Sequence, residues 1–258
     1  MGSDSVVGLP ASIEVAWGLR EPSHKGPKRV LSLGRIVDTA VRLADREGIG
    51  AISMSRIAKE LNSSTMSLYR YVSAKDELLP LMVDAAFGPP VPHPDAKPHW
   101  RAGLEHWSHS YLAVLRRHSW VVRIPISGPP ATPHQIAWAE QGLCFLQRTG
   151  LTEAQKMSTI LMLAGLVRNE AQLAQTYEAF SKTGADGAAS MLDYRRLIEK
   201  LADADRFPAI NAAMEAGVFD NSDGEEAEFG FSLHCALDGI EALMRRRRRE
   251  ARQAQQDQ

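Results

Sequence analysis

With 258 residues, 44% of them hydrophobic and 24% charged, the chain is long enough for one large globular domain or two modest ones, and no run of about 18 apolar residues could span a membrane. Its two cysteines, Cys144 and Cys235, lie in apolar helical stretches, and the N-terminus lacks a basic-then-apolar signal pattern; both features point to reduced core thiols in a cytoplasmic protein. The net charge of −1 selects no partner, but residues 20–75 hold 11 Lys and Arg against 5 Asp and Glu (+6) while residues 76–258 hold 19 against 24 (−5), so the first part suits a polyanion, although an uneven solvated surface gives the same count.

Residues 1–32 read as a basic, mostly irregular and flexible extension in which only "SIEVAW" (12–17) could form a turn or two. Ile36, Val37, Ala40, Val41, Leu43 and Ala44 then predict a helix from Leu33 that stops at Gly48. Ser53 reads as the N-cap of a short helix carrying Ile57, Ala58 and Leu61. "NSS" (62–64) breaks the pattern, and a second short helix follows over 65–71. Ser73 is expected to cap the next helix, which has Asp76 and Glu77 in its first turn where the dipole favours acids. That helix carries Leu78, Leu79, Leu81, Met82 and Val83, includes Pro80 as a possible kink and ends near Gly88. "GPPVPHPDAKP" is a proline-rich connector and the best domain boundary. Long helices are predicted over 100–118, 134–148 and 153–180, shorter ones over 192–202 and 207–216, and a last one from 225 into "RRRRREARQ". The Gly- and Ala-rich stretch 184–189 reads as a loop or weak helix. Strand alternation and internal repeats are missing, so the chain is all-α. The expected divisions are the extension 1–32, a domain over 33–88 and a larger helical domain over 89–258.

Two short helices joined by a three-residue break and packed on a longer preceding helix form the plan of a helix-turn-helix. Ala58 lets the short helices approach, Asn62 tolerates a left-handed backbone, and Leu68 anchors the second helix to the first. The residues between these anchors face outward. Thr65, Ser67, Tyr69, Arg70 and Tyr71 would then ride on a recognition helix whose N-terminal part enters the major groove, and Lys75 would meet a phosphate. The rival reading is a structural helical triplet.

The stretch "RIVDTAVRLADREGIGAISMSRIAKELNSSTMSLYRYVSAKDELL" (35–79) resembles the DNA-binding domain of the tetracycline-repressor (TetR) family of bacterial regulators. The first helix ends in "EG", "SMSRIAKEL" follows, and "SLYRYVSAKDELL" closes the unit. The resemblance implies that Ser53, Ser55, Thr65, Met66, Ser67, Tyr69, Arg70, Tyr71 and Lys75 meet DNA, with Tyr69 and Lys75 matching most closely. Asn62 departs from the glycine usual in this turn. Lys28 and Arg29, with Lys25, form a basic arm that could follow a minor groove or simply be solvated.

Residues 89–258 resemble the ligand-binding half of the same family, in the subgroup nearest the tetracycline repressor, through "LMLAGLVRNEAQLA" and "FGFSLHCALDGIEALM". The resemblance implies a homodimer in which the last helix pairs with its mate in a four-helix interface. Phe229, Leu233, Leu237, Ile240 and Met244 recur at the required spacing, although burial inside one chain would give the same pattern. Two readers on successive major grooves imply a roughly palindromic operator. The resemblance also implies a small-molecule pocket, with Trp100, Trp107, Tyr111, Trp138, Met157, Leu161, Arg168, Asn169, Gln172 and Tyr177 as candidate lining; each could equally be core or solvated. The implied effector is a bulky, partly aromatic antibiotic or an export substrate.

His106 and His109 lack a third metal ligand, and Arg245–Arg249 suits a solvated helix end. No nucleophile elbow, phosphate loop or zinc signature is found, so neither a cofactor nor an enzyme activity is expected. The expected function is a ligand-responsive, DNA-binding transcriptional regulator, a repressor released from its operator by a small molecule. The alternatives are an effector-independent or activating regulator, a bundle enzyme or a nucleoid-type protein.

Overall fold

A computed structural model describes residues 11–19, 31–125, 130–183, 187–219 and 225–256. Eleven helices account for them: α1 (Ala11–Ala16), α2 (Leu33–Glu47), α3 (Met54–Glu60), α4 (Thr65–Tyr69), α5 (Lys75–Phe87), α6 (Trp100–Arg117), α7 (Pro133–Leu146), α8 (Glu153–Thr183), α9 (Gly187–Leu201), α10 (Pro208–Glu215) and α11 (Glu225–Gln256), with 3₁₀ turns at Ile49–Ala51 and Ser119–Arg123. No strand occurs among the described residues, and no helix there is long and apolar enough to cross a membrane. The chain forms two compact units, residues 1–160 and 161–258.

Side-chain capping sets the ends of the early helices. Ser32 Oγ accepts the Arg35 N–H at the start of α2, and Gly48, at φ 81°, closes its end by donating to Ala44. Ser53 and Ser64 cap α3 and α4 in the same way, accepting from Arg56 and Ser67. Asn62 takes φ 48°, and the amides of Asn62 and Ser63 return to the carbonyls of Lys59 and Ala58. This pair of bonds is a Schellman motif, and it turns the chain sharply out of α3.

The start of α5 departs from the sequence expectation. Its N-cap is Ala74, and the Ser73 hydroxyl makes no cap. Instead the Glu77 carboxylate reaches back to accept the Ser73 N–H at 3.0 Å. The donor is satisfied from the helix side, as in half of a capping box. Pro80 lies inside α5, which continues past it to Phe87.

The first unit is built on α2, which packs against α3 and α5, while α4 packs on α3. Ile36, Ala40 and Leu43 from α2, Ile57 and Ala58 from α3, Leu68 from α4, and Leu78 and Met82 from α5 are buried. The "SIEVAW" stretch lies within helix α1 and Trp17, and α1 packs on α5. Ile13 is buried, and Trp17 Nε1 donates to the Ala131 carbonyl at 2.7 Å. Helices α6 and α7 pack closely. In the second unit Leu163, Val167 and Ala171 form the buried stripe of α8.

Both cysteines are free, but they are exposed and not in the core. Each stands on the outer side of an amphipathic helix, a placement that an apolar neighbourhood in sequence conceals. Partial desolvation, then the hydrogen bond to Glu140 and its charge, push the Cys144 thiol above the usual range.

Close approach of α6 and α7 depends on Gly103. A Cβ at this position would stand 2.5 Å from the Phe145 ring. Gly103→Ala adds about 1 kcal/mol of helix propensity but overpacks the interface by about 1–3 kcal/mol. The expected net result is a lower thermal midpoint, measured by circular dichroism; an unchanged or higher midpoint would contradict this packing.

Candidate DNA-reading surface and effector site

Helix α4 has five residues, too few to be stable alone. Leu68 is fully buried and pins it to the unit behind. The side chains around Leu68 then project outward: Met66 and Tyr69 are 74% and 46% exposed, Arg70 and Lys75 are exposed, and Thr65 and Ser67 are half-buried. Ser53 and Ser55, at the start of α3, are also exposed. Arg70 and Lys75 make no ion pair among the described residues. The surface therefore offers two uncommitted cations, several hydroxyls and an aromatic ring on a narrow cylinder.

Part of the hydroxyl set is already used. Ser67 Oγ lies 2.9 Å from Ser64 Oγ, and Ser53 Oγ lies 3.1 Å from Ser55 Oγ. The Tyr71 hydroxyl donates to the Leu31 carbonyl at 3.1 Å, so it ties α4 to the segment entering α2. Tyr71 thus acts first as a brace. Lys28 and Arg29 lie outside the described residues. Behind the surface, Arg46 and Arg56 bridge Glu47 and Glu60 at 2.9–3.3 Å and join α2 to α3. Hydrogen bonds from Arg46 and then Arg56 hold the Glu47 carboxyl below its usual range.

A second group of residues lies where α5, α6 and α7 meet. Phe87, Trp107, Tyr111 and Trp138 form one aromatic cluster, with centroid separations from 4.7 Å (Phe87–Tyr111) to 6.1 Å (Trp107–Trp138). Trp107 Nε1 donates to the Trp138 carbonyl at 2.9 Å, and Trp138 Nε1 donates to the Gly88 carbonyl at 3.1 Å. Both indoles are buried, and Tyr111 is half-buried. The indole donors are committed to backbone, Phe87 is buried as well, and Tyr111 is the least buried ring of the cluster. Trp100 sits two turns earlier on α6, against His99.

Asp84 fixes this geometry. Its Oδ1 accepts the backbone N–H groups of His134 and Gln135, at 2.9 and 3.2 Å, and its Oδ2 lies 3.0 Å from His134 Nδ1. The carboxylate therefore caps α7 from another helix, because Thr132 makes no side-chain cap of its own.

The chain is similar to known proteins over both parts. The model for the tetracycline-repressor-like C-terminal domain matches residues 92–244, and that for bacterial regulatory proteins of the tetR family matches residues 36–82. The chain belongs to the TetR family. It is therefore a DNA-binding transcriptional regulator, in a family of regulators rather than enzymes. The HTH-type transcriptional repressor DrrR1 of Streptomyces coeruleorubidus is 36% identical over 251 residues, covering 94% of this chain and 89% of that protein. ActR of Streptomyces coelicolor in its apo form superposes with a TM-score of 0.67 at 29% identity, over 83% of this chain and 98% of ActR. The complex of ActR with actinorhodin gives 0.68 at 28% identity, over 84% and 96%.

In this TetR-family chain the remaining sequence candidates divide by exposure. Met157, Leu161, Asn169, Gln172 and Tyr177 are exposed on α8, and Arg168 is half-buried. Phe229, Leu233, Leu237, Ile240 and Met244 are all buried within the single chain, at 5% exposure or less. Burial inside one chain, the alternative named for that spacing, accounts for these side chains in the single chain. Phe231, on the opposite side of α11, is 72% exposed.

Ser108 is a residue that spacing does not mark. It is fully buried on α6, and its hydroxyl has no hydrogen-bond partner. A lone serine in an apolar helical stripe carries no distinguishing signal in sequence. An unpaired buried hydroxyl costs about 1–3 kcal/mol. Ser108→Ala is therefore expected to raise the thermal midpoint of the ligand-free protein by about 2–4 °C; a fall would show that the hydroxyl has a stabilising partner.

Proposed function

We propose that the protein is a homodimeric repressor that leaves a roughly palindromic operator when a bulky, planar aromatic molecule binds it. The DNA-contact set is Ser53, Ser55, Thr65, Met66, Ser67, Tyr69, Arg70 and Lys75, with Tyr71 as a brace. The functional division is a reader over 33–88 and an effector and dimerisation part over 89–258. The protein works in the cytoplasm, where its operator is.

The observation that carries the reading is the outward placement of Tyr69, Arg70 and Lys75 with Leu68 buried behind them. Phosphate contacts position such a helix, and base contacts then specify the site. The effector class rests on Tyr111, the least buried ring of the cluster it forms with Phe87, Trp107 and Trp138, which offers an aromatic surface for stacking. The actinorhodin complex of ActR supports the same class. A ligand shifts the operator equilibrium only by its differential affinity for the bound and released states.

Dimerisation is assigned to the apolar side chains left exposed in the second unit, Phe231 of α11 and Leu161, Met162, Leu173 and Tyr177 of α8. Exposed apolar residues along two long helices are costly in water and inexpensive at an interface.

Three measurements test this. Fluorescence anisotropy on a selected operator duplex, with and without actinorhodin as the probe, should show release; a probe that binds tightly and leaves operator affinity unchanged refutes the coupling. Lys75→Ala should weaken binding about equally for all sequences and reduce the salt slope by about 1; an unchanged slope removes Lys75 from the phosphate contacts. Phe231→Glu should shift sedimentation from dimer to monomer with the helical signal retained, whereas a stable dimer would move the interface elsewhere.

A further inference from the structure

The side chain of Asp45, in the last turn of α2, is directed away from the reading surface. Its Oδ1 accepts a hydrogen bond from His118 Nδ1 at 2.8 Å and another from Trp120 Nε1 at 2.6 Å. An ionised carboxylate only accepts, so His118 carries its proton on Nδ1 in this contact. His118 is the C-cap of α6, and Trp120 lies in the 3₁₀ turn that follows. Both donors are buried, with Trp120 at 2% exposure. One oxygen held by donors from a helix end and the next turn has little freedom to slide.

The same turn of α2 continues directly into the reader. The next residues, Arg46 and Glu47, pair with Glu60 and Arg56 of α3, and α3 carries α4. On the other side, Tyr111 of the aromatic cluster stands seven residues before His118 on α6, about 10 Å along one rigid helix. A continuous set of contacts thus joins the ring faces to the DNA-reading helix without passing through α5.

We infer that Asp45, with His118 and Trp120, is a positioning joint through which the end of α6 and the DNA reader set one another's state. It is a second coupling route beside α5, and it rests on the ligand-responsive reading above. Reciprocity follows: if the joint couples the two parts, operator binding must be felt at Trp120 just as ligand binding is felt at α4.

That reciprocity permits a test needing no effector. The full-length protein is labelled with fluorotryptophan at its five tryptophans, the Trp120 signal is assigned by Trp120→Phe, and the operator duplex selected by wild type is added. The expected result is a shift of the Trp120 fluorine resonance on operator binding. In Asp45→Ala the shift should fall to about a third or less, with operator affinity within about threefold of wild type. Asp45→Asn keeps an acceptor and should restore most of the shift. His118→Ala, which leaves the Trp120 bond as reporter, should at least halve it and serves if Asp45→Ala does not fold. A silent Trp120 in wild type, or an equal shift in all variants, overturns the joint. In a parallel arm, actinorhodin should release wild type from operator about tenfold more effectively than Asp45→Ala. Failure of actinorhodin to release wild type would count against the proposed effector class, while the fluorine measurement would still decide the joint.

Discussion

A five-residue helix cannot hold itself in water, and the surface proposed to read DNA depends on how that deficit is met. Nucleating so short a helix fixes more dihedral angles than its few internal hydrogen bonds repay. Leu68 supplies the main compensation because it is wholly enclosed by the unit behind. The Schellman turn at Asn62 fixes the direction in which the chain leaves α3, the Ser64 cap starts α4, and the Tyr71 hydroxyl secures its far end. Only with these four constraints in place do Tyr69, Arg70 and Lys75 share a common outward face. The polar surface is thus a consequence of apolar anchoring, and loss of the anchor would scatter it without changing its composition.

The same principle governs the aromatic cluster. Large rings pack in several arrangements of similar energy unless polar contacts select one. Here each buried indole is fixed by a single bond to a backbone carbonyl, and Asp84 fixes the start of the helix that bears Trp138. Asp84 therefore links α5 to α7, as Asp45 links α2 to the end of α6. Both contacts use a carboxylate that accepts more than one donor, a geometry that resists small displacement and yields abruptly to large ones. Such contacts suit a protein with two discrete states better than one that deforms gradually.

Much of the architecture was legible in the sequence because local rules and tertiary packing agreed. The caps at Ser53 and Gly48, the break at Asn62 and the burial of Leu68 follow from side-chain chemistry within a few residues. The failures share a different cause. Ser73 does not take its expected capping role: the helix begins one residue later, at the Ala74 cap, and the Glu77 carboxylate, four residues on, accepts the Ser73 N–H instead. Cys144 and Cys235 sit on exposed sides of helices whose burial depends on which side meets the core. For α11 the periodicity correctly identified an apolar stripe but could not tell burial within one chain from burial between two. Both require the same spacing, and only the residual exposure of Phe231 separates them. Asp45 and Asp84 carried no local signal, since their roles arise from partners far away in the chain, and Ser108 carried none because a lone serine in an apolar stripe has no mark of its own.

That last group bears on how an effector could act at all. A ligand stacked on Tyr111 changes operator affinity only if the alternative arrangement of α6 is accessible, and close packing at Gly103 leaves little room for gradual adjustment against α7. Movement is easier at the other end of α6, where the helix stops at His118 and the chain turns through 119–123. Strain introduced at the rings would therefore be relieved toward His118 rather than toward Phe145. There it meets Asp45, whose side chain is about one-third exposed and can turn to water, whereas the buried His118 and Trp120 donors cannot, so the contact is either made or lost as a whole. A rigid middle and a polar contact at the end that is made or broken as a whole are the conditions under which a binding event on one helix becomes a change of state in the next.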